Sequence, residues 1–208
     1  MATRTYEQGA RAEEAERTRM RIIEAVFTRL REAPAEPVAI DRIAKTAGVA
    51  RSTVYTIFGS RSGLFAAVGQ ELAERSGYAD LLQAKEKEDA REHLRHGARA
   101  GARMLAANRD LYRALHSMAG LDEEAVGDAV RNQEEERAFG MKRVVGRLAE
   151  QGFLREDISV EEAEQVLWVL TSFETFDALY TGRKMTVDQV ADRLIEVSER
   201  ALYAEPYR

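Results

Sequence analysis

Apolar residues recur along this chain at the three-to-four-residue spacing of helices, and no stretch alternates at the period of two that a half-buried strand requires. From Thr18 the first stripe runs Ile22, Ile23, Val26, Phe27 and Leu30. It predicts an amphipathic helix ended by the Pro34 and Pro37 region, because proline cannot continue a helix. A second stripe, Ile40, Ile43, Ala44 and Ala47, leads to Gly48, where a sharp corner favours the residue without Cβ, and Val49 follows as its apolar plug. Val54 and Phe58 lie four apart after the corner. They give the short helix from Arg51 one packed face and leave Arg51, Ser52, Thr53, Tyr55 and Thr56 as candidates for exposure. Ser60-Arg61-Ser62 then has the polar character of a helix start, with Leu64, Phe65, Val68 and Leu72 forming the next stripe.

Beyond Gly77 the pattern predicts helices at about 87–107, 109–117, 122–151, 160–181 and 186–203. The expected fold is therefore all-α. It divides into an unstructured arm over 1–15, a three-helix head with a helix-turn-helix over 16–61, and a larger helical body over 62–208. Arg4 and Arg11 of the arm are placed to enter a minor groove if the head meets DNA, although an unordered terminus is the simpler reading. The helix near 160–181 carries Val166, Val169, Leu170, Phe173, Phe176 and Tyr180 on one side, while Leu167, Trp168 and Leu179 spread to others. A helix that is apolar on more than one side must be covered twice. Together with the stripe Val187, Val190, Leu194, Val197 and Ala201, this points to a homodimer rather than to a monomeric core around Trp168.

The chain has 208 residues, 45% of them hydrophobic, which is enough for one large domain or a small and a larger one. Cysteine is absent, so no disulfide framework or thiolate chemistry is available. The N-terminal sequence lacks an apolar core, and no run approaches the roughly 18 apolar residues of a membrane span, so a soluble, cytoplasmic protein is expected. A net charge of −5 argues at first against a polyanionic partner, but residues 1–62 carry +3 and the remainder −8. A local positive field suffices for phosphate attraction, while an acidic remainder keeps the rest of the molecule off DNA.

The exposed set after Gly48 has the chemistry for reading double-stranded DNA. Arginine pairs bidentately with guanine, threonine offers a hydroxyl to phosphate or a methyl to thymine, and tyrosine carries a phosphate donor on an apolar body. Arg51, Ser52 and Thr56 are the candidates for base edges, and Thr53, Tyr55 and Arg61 those for phosphate. Composition alone fits a plain surface helix equally well; the glycine corner, the short second helix and the aromatic pair Tyr55/Phe58 favour DNA. Ala47-Gly48-Val49, Thr53-Val54-Tyr55, Phe58 and Ser60-Arg61-Ser62-Gly63-Leu64-Phe65 resemble the signature of the TetR family of one-component transcriptional regulators, over roughly Arg17 to Val68. The family pattern usually has a hydroxyl residue at the place of Ala50, another near Ala39, and often lysine at the place of Arg61. The resemblance implies a dimer in which the last two long helices pair with their symmetry mates as a four-helix bundle, a palindromic operator, and a small-molecule effector.

Candidates for an effector site are weaker. Glu134 and Arg137 interrupt the apolar stripe of Val126, Val130, Met141, Val144 and Leu148; they either line a pocket or pair with neighbours at the surface, and the second reading is slightly favoured. Met104, Tyr112, His116 and Trp168 are further wall candidates, each singly as consistent with ordinary core. Asp177 projects among apolar positions and needs a partner, most simply Arg183 or Lys184. His93 and His96 are three apart without a third ligand and read as a solvent-facing pair. No nucleotide loop, nucleophile elbow or paired-carboxylate arrangement stands out, so no enzyme, metal or cofactor is expected. The function expected is a ligand-responsive repressor. The alternatives are a helical binding protein with a vestigial head, and an activator or architectural DNA binder without an effector.

Overall fold

The computed structural model describes residues 2–34 and 36–204, with side chains from residue 12 onward. Arg4 and Arg11 lie outside the described side chains. Among the described residues the fold is helical throughout, with a single isolated bridge between Leu154 and Tyr203. Two compact units are formed, residues 1–71 with 113–130 and residues 72–112 with 131–208.

The first unit begins with α1 (Ala2–Glu32), so the helix already includes residues 2–15, where an unstructured arm was expected. The segment is rich in Ala, Glu and Arg, which are strong helix formers, and Arg17–Glu14 and Arg19–Glu16 pairs brace it at 2.9 and 3.1 Å. Its C-terminus is closed by the buried Arg29, whose guanidinium donates to the Ala33 carbonyl at 3.3 Å and to Glu36 at 2.5 Å. Next come α2 (Ile40–Ala47) and α3 (Arg51–Phe58), with α1 packed on α2 and α2 on α3. Gly48 stands between them in the left-handed region at φ 67°, ψ 37°, and Val49 donates back to the Ala44 carbonyl at 2.9 Å. An L side chain at Gly48 would be strained, which is why the corner falls there. The buried Ile22, Ile23, Val26, Phe27, Leu30, Ile40, Ile43 and Val54 are the apolar stripes expected of these helices.

Helix α4 (Arg61–Arg75) follows, starting where the Ser60 hydroxyl accepts from the Gly63 amide at 2.9 Å. A Cβ on Gly63 would stand 2.1 Å from the Phe58 carbonyl oxygen, so α4 can approach the end of α3 this closely only with glycine there. The first compact unit continues to residue 71 and takes in residues 113–130.

The second unit contains α5 (Tyr78–Ala84), which the apolar pattern did not predict, and α6 (Ala90–Ala107), capped by the Asp89 carboxylate on the Arg91 amide. Helix α7 (Arg109–Ala119) and helix α8 (Asp128–Glu150) each contribute residues to both units, and a π-helical turn, Glu123–Gly127, precedes α8. The helix expected over 160–181 is broken into α9 (Val160–Leu170), α10 (Phe173–Asp177) and a π-helical turn, Ala178–Gly182. The break has a local cause. The Thr171 hydroxyl bonds the Leu167 carbonyl at 2.7 Å, and the Ser172 hydroxyl caps the next helix through the Thr175 amide at 3.1 Å. Such side chains offer the backbone an alternative to continuing the helix. Helix α11 (Val187–Leu202) closes the chain behind a capping box of Thr186 and Gln189. Its buried Leu202 joins Leu94, Val145, Leu148 and Leu167 in one core cluster, while Val190 and Leu194 join Phe176 and Ala102 in a second.

Candidate DNA-reading face and the second-unit clusters

Helix α3 buries Val54 and turns its other side outward. Arg51, Ser52, Tyr55 and Thr56 are exposed and Thr53 is half-buried. Arg51 does not extend freely into solvent. Its Nη1 donates to both carboxylate oxygens of Asp41, at 3.2 and 3.1 Å, its Nη2 lies 3.5 Å from the Tyr55 hydroxyl, and the guanidinium stands 5.7 Å from the Tyr55 ring centre. The exposed Thr56 donates its hydroxyl proton to the Ser52 carbonyl at 2.9 Å. The N-cap positions Ala39 and Ala50 have extended backbone suited to a cap but no side chain to make one.

Arg61 serves a different neighbourhood. Its Nη2 donates to the Val38 carbonyl at 2.9 Å, its guanidinium pairs with the largely buried Asp122 carboxylate, and it packs over Phe65 at 5.6 Å. One residue on, the Ser62 hydroxyl donates to the Glu124 carbonyl at 2.7 Å. The start of α4 is thereby tied to the approach to α2 and to the segment after α7, all within the first unit. Any phosphate contact by Arg61 uses the donors these partners leave over. Neither Asp41 nor Asp122 stood out in the sequence, since an ion pair ten or sixty residues apart leaves no periodic trace.

The sequence-predicted effector residues form separate groups. Arg137 pairs with Glu134, donates to the Trp168 carbonyl at 2.6 Å and the Thr171 hydroxyl at 2.9 Å, and stands 5.2 Å from the Trp168 ring centre. The guanidinium thus satisfies the end of α9, and of the two readings of Glu134 and Arg137 the geometry is that of pairing with neighbours. Asp177 accepts from the Arg109 Nε at 2.8 Å and the Thr181 hydroxyl at 2.7 Å, so its cation comes from α7 and not from Arg183 or Lys184. Helical projection failed here because the helix is interrupted before Phe173. Tyr112 is buried against Phe173, ring centres 6.2 Å apart, and burial raises its phenol pKa. Met104 is half-buried on α6, and the half-buried His116 falls in the first unit. An open cleft in the second unit is lined by Arg109, Tyr180, Thr181, Lys184, Met185 and Thr186, beside rather than at the predicted set.

The histidines are not a solvent-facing pair. His96 is exposed, but His93 is buried, and its ring Nδ1 lies 3.1 Å from Arg147 Nη1. Burial first, then the charges of Arg147, Arg143 and Lys85, lower the His93 pKa to about 4. Among the described residues no group of three His, Cys, Asp or Glu is placed to hold a metal, and no helix is long and apolar enough to cross a membrane.

Residues 22–68, which span α2, α3 and their packing partners, match the family model for bacterial regulatory proteins, tetR family. Over these residues the head is similar to that of the TetR family. Solved structures extend the likeness to the whole fold. The fatty acid degradation regulator FadR of Bacillus halodurans superposes with a TM-score of 0.70 at 17% identity, over 86% of this chain and 96% of its own. NalD of Pseudomonas aeruginosa, secondary repressor of the MexAB-OprM multidrug efflux pump, gives 0.68 at 21% identity over 92% and 98%. A TetR family transcription regulator from Marinobacter aquaeolei gives 0.67 at 16% over 94% and 100%. No curated protein sequence matches the chain. The fold of this chain, a helix-turn-helix head with a larger helical body, is thus the fold of those structures.

Proposed function

We propose that this chain is a ligand-responsive repressor of the TetR family that binds a palindromic operator as a homodimer and leaves it when a small molecule occupies the body. The observation that carries the reading is the outward face of α3, where Arg51, Ser52, Tyr55 and Thr56 stand exposed around a buried Val54. Arg51, Ser52 and Thr56 are assigned to base edges, and Thr53, Tyr55 and Arg61 to phosphates. Dimerisation is supported by the apolar side chains that α9 and α11 leave to solvent, Trp168, Val169 and Val197. Two-fold symmetry then delivers two α3 helices to half-sites roughly 34 Å apart. Repression is in keeping with the role named for NalD. The effector is proposed to act by binding better to one of two conformations, only one of which fits the half-sites. Within the second unit Met104, Tyr112, Glu134, Arg137, Trp168 and Asp177 remain candidates for its contacts, and the open cleft beside Arg109 is a further place to look.

Selection of bound sequences from a random double-stranded DNA pool, with the purified protein and with Arg51→Ala, tests the reading. An enriched palindrome is expected, with base preference lost at one position in the variant, at a cost of about 1 to 3 kcal/mol for a bidentate contact. A pool that stays unenriched at low salt would overturn operator binding. A ligand that binds tightly without changing operator affinity would overturn the proposed switch.

A further inference from the structure

We infer that Asp41 is a specificity-determining residue: from the first turn of α2 it holds the Arg51 guanidinium against Tyr55, presenting it in one orientation to a single base pair. The inference rests on the proposed operator reading and deepens it. The geometry is that of a support from two sides, Asp41 and Tyr55. The carboxylate engages Nη1 through both oxygens, at 3.2 and 3.1 Å, the tyrosine hydroxyl stands 3.5 Å from Nη2, and the aromatic ring flanks the guanidinium at 5.7 Å. These partners reach only part of the donor fork, so Nε and the outward N–H groups remain to meet acceptors on a base edge.

An arginine alone on an exposed helix samples many rotamers and must be ordered when it binds a base. A guanidinium already braced on two sides loses less freedom in making the same contact. The carboxylate also acts on the competing states. Asp41 is exposed on the same face as Arg51, so its charge opposes the approach of phosphate wherever Arg51 is not correctly seated. A neighbouring carboxylate therefore weakens binding to any DNA while sharpening the choice of base, which is how discrimination is built from a repulsive element as well as an attractive one. The plainer role for Asp41 is to complement the N-terminal end of α2, where it is the acidic residue of the first turn and Ala39 makes no cap. That role predicts altered stability and no change in base preference.

The experiment compares wild type, Asp41→Asn, Arg51→Ala and the double variant in binding to the selected palindrome, to its single-base substitutions, and to unrelated duplex DNA. Arg51→Ala identifies the position that Arg51 reads. Asp41→Asn is expected to lower preference at that same position by roughly 3- to 10-fold and to bind unrelated DNA about 2- to 3-fold more tightly at low salt. In the Arg51→Ala background the Asp41→Asn change should have no further effect on base preference, because its action runs through Arg51. Thermal unfolding of each variant reports the helix-end role separately. If the wild type enriches a palindrome and Asp41→Asn keeps full preference at the Arg51 position, or shifts preference equally without Arg51, the assignment falls and the operator reading stands. If the wild type enriches no sequence, both fall together.

Discussion

His93 shows how a single side chain carries a measurable consequence. It is buried on α6 with Arg147, Arg143 and Lys85 around it, and its pKa is lowered to about 4 from the usual 6.5. The unfolded chain therefore binds a proton below about pH 6.5 that the folded chain refuses until about pH 4. Stability from this group is complete above pH 6.5 and is lost as pH falls through that window, by about 1 to 3 kcal/mol. Denaturant titrations at several pH values should show His93→Gln losing less stability than wild type between pH 6.5 and 4; parallel curves would refute it. The sequence could not disclose this, because Arg147 belongs to a helix some fifty residues away. Arg61 and Asp122 make the companion case. Asp122→Asn leaves the arginine charge in place but weakens a partly buried pair, and should lower stability by about 1 to 2 kcal/mol with the salt dependence of DNA binding retained. Arg61→Ala should lower stability and also flatten the slope of log affinity against log salt by about one unit if a phosphate contact is lost. An unchanged slope in Arg61→Ala would remove Arg61 from the phosphate contacts.

At the scale of the element, α2 and α3 begin without side-chain caps although their N-cap backbones are already extended. Ala50→Ser places a hydroxyl where it can accept from the second or third amide of α3, and should raise stability by about 1 kcal/mol in urea unfolding. No gain would mean that the first turn of α3 is satisfied some other way. The two helices themselves were readable from Ile40, Ile43, Val54 and Phe58 because an apolar face at helical spacing is a local property. The corner was readable because Gly48 alone suits its left-handed backbone. The interruption of the 160–181 helix was not read, since continuous apolar periodicity hides a change of axis. Its signal was present in Thr171-Ser172, adjacent hydroxyl residues ahead of Phe-Glu-Thr, a helix-start pattern inside what looked like one helix. The break also upsets the projection of Asp177 among Val166, Leu170 and Phe173, while its Arg109 partner, on another helix, leaves no local trace. Helix α5 escaped because seven residues, barely two turns, are too short to define a period.

For the whole molecule, the proposed operator reading calls for two heads, because a single α3 offers few base contacts. Two linked heads convert the second half-site encounter into an intramolecular event, which multiplies affinity by about 100- to 10,000-fold without any new kind of contact. In that reading the proposed dimer is held by surface that a lone chain leaves uncovered. Val169 on α9 is 55% exposed and Val197 on α11 is 37% exposed, while Leu167 and Leu194 on the same helices are buried in the body. The exposed pair can be charged without disturbing the core. Val169→Glu is therefore expected to keep its helical content and unfolding midpoint, to scatter light as a single chain at micromolar concentration, and to lose palindrome affinity by at least about 100-fold. Its affinity for an isolated half-site at low salt should remain, because the face around Arg51 is untouched. Wild type that scatters as a single chain would remove the dimer from the scheme. A monomeric Val169→Glu that still bound the palindrome at full affinity would show that the heads act alone, and α3 would then have to supply all of the recognition that symmetry is invoked to share.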